Sequence, residues 1–361
     1  MNTTRRIPLR ARALAAAAVL AASVAGAAET DISQVPPSVK NTVPPNMLFT
    51  LDDSGSMFWD VVPDYSDIYY PFPPSTRSFS TSNGTWRMNV PVYGAGPEYS
   101  IEQYGLIDTE PTNSDARFFR SAAGNPLFYN PAIRYKPWAT ADGSGTWPQA
   151  NRTQPSRNPG KADAAPVDLT TPLTGYTYTV IANGSAQPYA TEQAVTIWPA
   201  TYFVYRGTQP LTRTGGTNIL ANFDHVEIRP TTPSYPGRST YPNRSDCGDT
   251  CTYDQELQNF ANWFSYYRSR LLAARAGIGK AFSTQREDLR IGFATINAPQ
   301  ADVDGVSMRS VIRGVRPFTG AARTEFFDLL YTRPVIPMGT PLRRATDDVG
   351  QYFERNDAKS P

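Results

Sequence analysis

The sequence predicts an α/β domain with a largely parallel sheet, split by a long β- and turn-rich insertion. Two apolar runs, Met47 to Leu51 and Leu289 to Ile296, have the length of buried strands. Apolar residues recur at helical spacing through the later part of the chain, from Leu257 to Phe353. Between Phe58 and Ser245 that spacing vanishes, and Pro, Tyr, Ser, Thr and Asn take over. Outside this stretch the elements run β, α, β, β, α, α, an order that lays helices on a mainly parallel sheet.

Composition excludes several classes of function. The 361 residues leave room for about two domains. With 34 basic against 32 acidic residues the formal charge is +2, which gives no electrostatic footprint for nucleic acid. One histidine, His225, rules out a histidine metal cluster and leaves a serine hydrolase a single imidazole base. Two cysteines rule out a zinc site of four thiolates.

Residues 1–27 have the layout of a secretory signal peptide. Arg5, Arg6, Arg10 and Arg12 precede an apolar stretch from Ala13 to Val24, and Ala25 and Ala27 form the exit signal. The apolar stretch is shorter than the ~20 residues a membrane span needs, and no other run is long enough. Cleavage removes four arginines and no acid, which turns +2 into −2. The chain is therefore read as exported, with no transmembrane span after cleavage.

Residues 28–45 are polar and studded with proline, an extended lead-in. The strand at 47–51 follows, then the insertion, where Tyr176 to Ile181, Thr201 to Tyr205 and Phe223 to Ile228 carry strand composition. Its many rings are read as packing rather than as a glycan platform, and His225 as structural or at the surface. Cys247 and Cys251 sit four apart around Gly248 and Asp249; export favours a local disulfide that fixes one turn. Thr252 and Gln255 form a capping-box signature. One long helix is expected beyond it, with Leu257, Phe260, Phe264, Tyr267, Leu271, Ala274 and Ile278 inward and Arg268, Arg270 and Arg275 solvated. The strand at 289–296, a weaker one at 306–315 and a helix from Ala322 to Tyr331 come next. A last helix opens at Thr340-Pro341, with Leu342, Ala345, Val349 and Phe353 inward.

The chemistry lies at the end of the first strand. Asp52, Ser54 and Ser56 form a D-x-S-x-S sequence where α/β sheets bind ligands, beyond the carboxyl ends of their strands. One carboxylate and two hydroxyls are hard oxygen donors, suited to Mg²⁺, with Mn²⁺ or Ca²⁺ as alternatives. Gly339-Thr340 adds another hydroxyl at a helix mouth. A cation so short of protein carboxylates is left ready to accept an acidic group from another molecule. Such a site binds, and nothing in it marks an enzyme. Ser54, Ser56 and Thr340 could also serve only as turn and cap residues.

FTLDDSGSM and PMGTPL resemble the first two metal-ion-dependent adhesion site motifs of a von Willebrand factor type A domain. NPLFYNPAIRYKPW, the stretch from Cys247 to Phe282 and LRIGFATIN are similar to the N-terminal half of PilY-family proteins, type IV pilus biogenesis factors and tip-associated adhesins. The resemblance implies an incomplete von Willebrand factor A-like (Rossmann-type) sheet formed by 46–57 and 252–361, with 58–251 inserted as a subdomain. It implies that Asp52, Ser54, Ser56 and Thr340 hold a divalent cation. Minor pilins or other pilus components, or a receptor carrying an acidic group, would be partners, at the periplasm, cell surface and pilus tip.

The resemblance also implies a further Asp-bearing loop and a C-terminal propeller, neither matched here, so the sequence reads as an N-terminal fragment or truncated product. The alternative function is pilus assembly against retraction, with no metal-dependent adhesion. A secreted hydrolase using Ser54 or Ser56 is a remote alternative, because no G-x-S-x-G elbow exists.

Overall fold

The computed structural model describes residues 44–58, 60, 62, 84–89, 114–162, 164, 166–182, 189–213, 215–334 and 338–361. The signal peptide and most of the lead-in read from the sequence lie outside these residues. Strands are β1 (Asn46–Leu51), β2 (Gly84–Asn89), β3 (Leu173–Ala182), β4 (Tyr189–Ile197), β5 (Thr201–Tyr205), β6 (Phe223–Glu227), β7 (Tyr235–Pro236), β8 (Thr250–Cys251), β9 (Arg290–Thr295), β10 (Ala301–Val303), β11 (Val306–Met308) and β12 (Val311–Pro317). Helices are α1 (Ser114–Phe119), α2 (Tyr253–Tyr266), α3 (Arg270–Ser283), α4 (Gly320–Thr332) and α5 (Leu342–Phe353).

The fold is mixed α/β built on small sheets. The central one has the order β1-β9-β12. β1 lies parallel to β9, with Asn46 opposite Arg290 and Leu51 opposite Thr295, whereas β12 runs antiparallel to β9. A largely parallel sheet was expected. The difference arises because the β10–β11 hairpin reverses the chain between β9 and β12, so the return strand runs backwards. Its turn needs two left-handed residues, supplied by Asp304 (φ 58°) and Gly305 (φ 84°). Gly292 permits close approach at mid-strand: a Cβ there would stand 2.4 Å from Leu48 Cδ1 and 2.8 Å from the Arg313 carbonyl oxygen. β1 is an edge strand, so Met47 and Thr50 are exposed and only Leu51 is buried, rather than the whole strand.

The expected long helix is two. Thr252 and Gln255 form the full capping box at the start of α2. The helix then breaks at Tyr267-Arg268-Ser269, where the Ser269 hydroxyl caps α3 by accepting from the Leu272 N–H. Arg268 folds back and donates to the Phe264 carbonyl at 2.7 Å. Arg268 and Arg275 are therefore buried, not solvated; Arg275 donates to the Arg333 carbonyl just past α4. A guanidinium can be buried where backbone carbonyls meet its donors.

Insertion residues including Phe128, Tyr129, Trp138, Leu169, Trp198 and Tyr202 share one hydrophobic core with α2, α3 and α4. Trp138 stacks on Tyr331 of α4 at 4.8 Å, and Phe128 and Tyr129 pack on Trp263 of α2. Two buried amides on α2 stitch the segments together. Asn259 accepts from the Tyr135 N–H and donates to the Ile133 carbonyl; Asn262 accepts from the Ala150 N–H and donates to the Tyr135 carbonyl. Beside them Glu256 and Arg244, both fully buried, form a 2.8 Å ion pair. Glu256 also accepts from the Tyr129 and Tyr202 hydroxyls, and Arg244 donates to Asp246 and the Pro131 carbonyl. Burial opposes the guanidinium charge, but hydrogen bonds to Asp246 and Glu256 outweigh it and raise the Arg244 pKa. His225 on β6 stacks against Phe203. Cys247 and Cys251 are joined in a disulfide.

The inner face of α5 differs from the expected one. Ala345 and Tyr352 are buried, while Leu342 and Phe353 are exposed. Tyr352 sets the rotation, packing among Val303, Met308, Val311 and Val315 with its hydroxyl accepting from the Val315 N–H at 2.6 Å. That N–H lies in an irregular stretch of the β12–β9 ladder, where the register shifts between Arg313 and Arg316. Among the described residues no helix is long and apolar enough to cross a membrane.

Candidate functional site

β1 ends at Leu51 and delivers Asp52, Asp53, Ser54 and Ser56 into a tight turn. The Ser54 N–H donates to Asp52 Oδ1 at 2.8 Å, the Asx-type bond that an acid at the head of a turn makes. One turn of 3₁₀-helix, Gly55–Phe58, follows. It brings the Ser54 and Ser56 hydroxyls to 3.2 Å from each other. Ser54 is buried; Asp52 and Ser56 are half-buried. Both hydroxyls and the free Asp52 oxygen thus belong to one short loop at the carboxyl end of a strand.

The loop bearing Thr340 reaches the same place. The Gly55 N–H donates to the Met338 carbonyl at 3.1 Å, and Asn297 Nδ2 donates to the Gly339 carbonyl at 3.0 Å. Thr340 is exposed and precedes Pro341, which caps α5 with no side-chain bond. The two motifs picked from the sequence therefore adjoin through their backbones, although Asp52 and Thr340 lie almost the length of the folded unit apart in the chain. Neither Asp347 nor Asp348 joins them. Asp348 accepts from the Ser310 hydroxyl at 2.5 Å, and Asp347 from Gln351.

Two residues that sequence reasoning passed over complete the arrangement. Asp53 is fully buried behind the turn, and its Oδ1 accepts from the Asn297 N–H at 2.9 Å. Burial pushes its carboxyl above the ordinary range, against the pull of the nearby Thr295 hydroxyl, the Asn297 N–H and the Arg333 charge. Thr295 lies outside hydrogen-bonding geometry, so among the described residues Asp53 Oδ2 and Thr295 Oγ1 both lack a partner, as does Asn297 Oδ1. The available signal was positional: Asp53 lies inside the D-x-S-x-S sequence, and Asn297 ends the apolar run of β9.

As a donor set these oxygens fit a small hard cation. They comprise one half-buried carboxylate, two hydroxyls in mutual reach, a third hydroxyl on an adjoining loop and buried oxygens behind them. Among the described residues no three His, Cys, Asp or Glu side chains gather in metal-holding proximity, so any ion here leans on hydroxyls.

No family model and no solved structure matches the chain. It is similar to the type IV pilus biogenesis factor PilY1 of Pseudomonas aeruginosa. Identity is 27% over 359 residues with the protein of strain PAK, 26% over 360 with that of strain PAO1 and 25% over 343 with that of strain UCBPP-PA14. These matches take in 97%, 97% and 90% of this chain, but 24%, 24% and 22% of the relatives, so it spans less than a quarter of their length.

Proposed function

We propose, from its similarity to PilY1 along nearly all of its length, that the chain is a PilY-family protein and works in type IV pilus biogenesis as an exported binding module. Its contact with partners runs through a divalent cation at Asp52, Ser54, Ser56 and Thr340. The observation that carries this reading is the meeting of the D-x-S-x-S turn with the Gly339-Thr340 loop at the carboxyl end of β1. The parallel β1–β9 pair flanked by an antiparallel β12 supports a von Willebrand factor A-like reading of the central sheet.

A divalent cation held there, Mg²⁺ first and Mn²⁺ or Ca²⁺ next, would supply an electron-poor centre suited to a carboxylate oxygen of a partner. The chain's own residues do the rest. Asp52 would supply charge and, through the Ser54 N–H, holds the turn; Ser54 and Ser56, whose hydroxyls meet, would supply two neutral oxygens; Thr340 would supply a third from the other loop. A partner with an acidic side chain, whether a pilus component or a surface receptor, has the matching chemistry.

The test is Mn²⁺ binding by electron paramagnetic resonance or calorimetry. Asp52→Ala is expected to abolish it while leaving the far-ultraviolet spectrum unchanged; unchanged affinity in that variant refutes the site. The assembly reading rests on the relatives' printed role as biogenesis factors. It prevails if Asp52→Ala leaves adhesion intact and only loss of the chain reduces surface pili.

A further inference from the structure

We propose that Asn297 is a positioning residue that locks the two loops of the candidate site into one unit. Its consequence for cation affinity rests on the reading above; the lock itself does not. Asn297 stands two residues beyond the end of β9, the middle strand of the central sheet, and only 5% of it is exposed. Ile291, Phe293, Ala294 and Thr295 beneath it are fully buried, so it rises from the most constrained strand of the domain.

From that base it reaches both loops at once. Its backbone N–H holds Asp53 Oδ1, across 244 residues of sequence, and its side-chain Nδ2 holds the Gly339 carbonyl, across 42. The first bond fixes the residue between Asp52 and Ser54. The second fixes the residue before Thr340. A third bond, Gly55 N–H to the Met338 carbonyl, closes the two loops on each other. Asp53 is buried with no freedom to swing, so the turn carrying the acid and hydroxyls takes its position from Asn297.

The geometry needs a short neutral donor here. Alanine removes the bond to Gly339 but leaves the backbone bond to Asp53. Aspartate keeps the shape and sets an acceptor against the Gly339 carbonyl. Groups that orient metal ligands from behind commonly change affinity 10- to 100-fold when altered.

The experiment uses the whole chain without metal and then with Mn²⁺. Hydrogen exchange is followed by mass spectrometry in peptides covering 52–57, where the Gly55 amide reports loop closure, and 311–317, where the Val315 amide reports the rest of the sheet. In Asn297→Ala and Asn297→Asp, exchange at 52–57 is expected to rise about tenfold with 311–317 unchanged. Mn²⁺ affinity, read from the resonance of the free ion, is expected to fall at least tenfold. Unchanged exchange at 52–57 overturns the lock, as does an equal rise in both peptides, which is general loosening. Unchanged Mn²⁺ affinity despite faster exchange overturns the positioning role. If the wild-type chain takes up no Mn²⁺ while exchange rises at 52–57 alone, the lock stands and the cation reading falls. Should the alanine variant not fold, the aspartate variant carries the same reading.

Discussion

Replacing Glu256 with alanine is expected to destabilise the chain by about 3–5 kcal/mol, the usual result of removing one partner from a buried ion pair. The magnitude follows from what the carboxylate holds. It accepts from Arg244 Nη1 at 2.8 Å, Tyr129 at 2.8 Å and Tyr202 at 3.2 Å, and neither it nor Arg244 is exposed. Without it two tyrosine hydroxyls lose an acceptor, at about 1–3 kcal/mol for each unsatisfied group, and these costs overlap rather than add. Arg244 keeps Asp246 and the Pro131 carbonyl, which holds the total within the ion-pair range. Glu256→Gln keeps the volume and one acceptor, so a smaller loss of about 1–3 kcal/mol is expected. The assay is guanidinium unfolding followed by tryptophan fluorescence, with Trp138 and Trp263 in the shared core, and by circular dichroism. The midpoint should fall with an unchanged slope. An alanine variant within about 1 kcal/mol of wild type would refute the idea that this pair and its tyrosines bind the insertion to α2.

Two smaller effects follow from the same structure. Tyr352→Phe should cost about 1–3 kcal/mol in denaturant unfolding, because it strands the Val315 N–H in an irregular part of the sheet. A neutral result would mean that the strand finds another acceptor. Hydrogen bonds from Arg316 hold the Asp304 carboxyl below its ordinary 3.8. The folded value is the lower one, so its contribution is present above that pH and is lost as pH falls through the folded value. Arg316 is partly exposed, so after screening the gap between wild type and Asp304→Asn should be about 0.5–1 kcal/mol at neutral pH. In thermal melts the gap should narrow as pH falls below the ordinary carboxylate range and shrink in high salt; a pH-independent gap would contradict the pairing.

Local chemistry was legible in the sequence where a pattern and its partner lie within a few residues. The Thr252–Gln255 box was readable because both halves sit in one turn. The Tyr267–Leu271 spacing continued the helical register, so nothing in the apolar pattern betrayed the break; only the Ser269 cap and the carbonyl that takes Arg268 explain it. Leu342 and Phe353 share a helical stripe with Ala345, but the pocket beneath α5 suits Tyr352, a choice made by strands that sequence spacing does not locate. The same holds for the site. Asp52, Ser54 and Ser56 could be read from a strand and its turn, and Thr340 from a helix start. That Asn297 bridges their loops depends on the β1–β9 register, which the apolar runs allow but do not dictate.

The pairing of β1 with β9 also sets a schedule. Asn46 cannot meet Arg290 until everything between them has been synthesised, on the order of tens of seconds at ordinary translation rates of ~5–20 residues per second. Until then the segment that will carry the acid and hydroxyls lacks its strand partner, and the bridge from Asn297 to Asp53 cannot form. The meeting of the two loops is therefore conditional on a strand that lies far downstream of the first of them, and an emerging chain lacks that arrangement until its own central strand arrives.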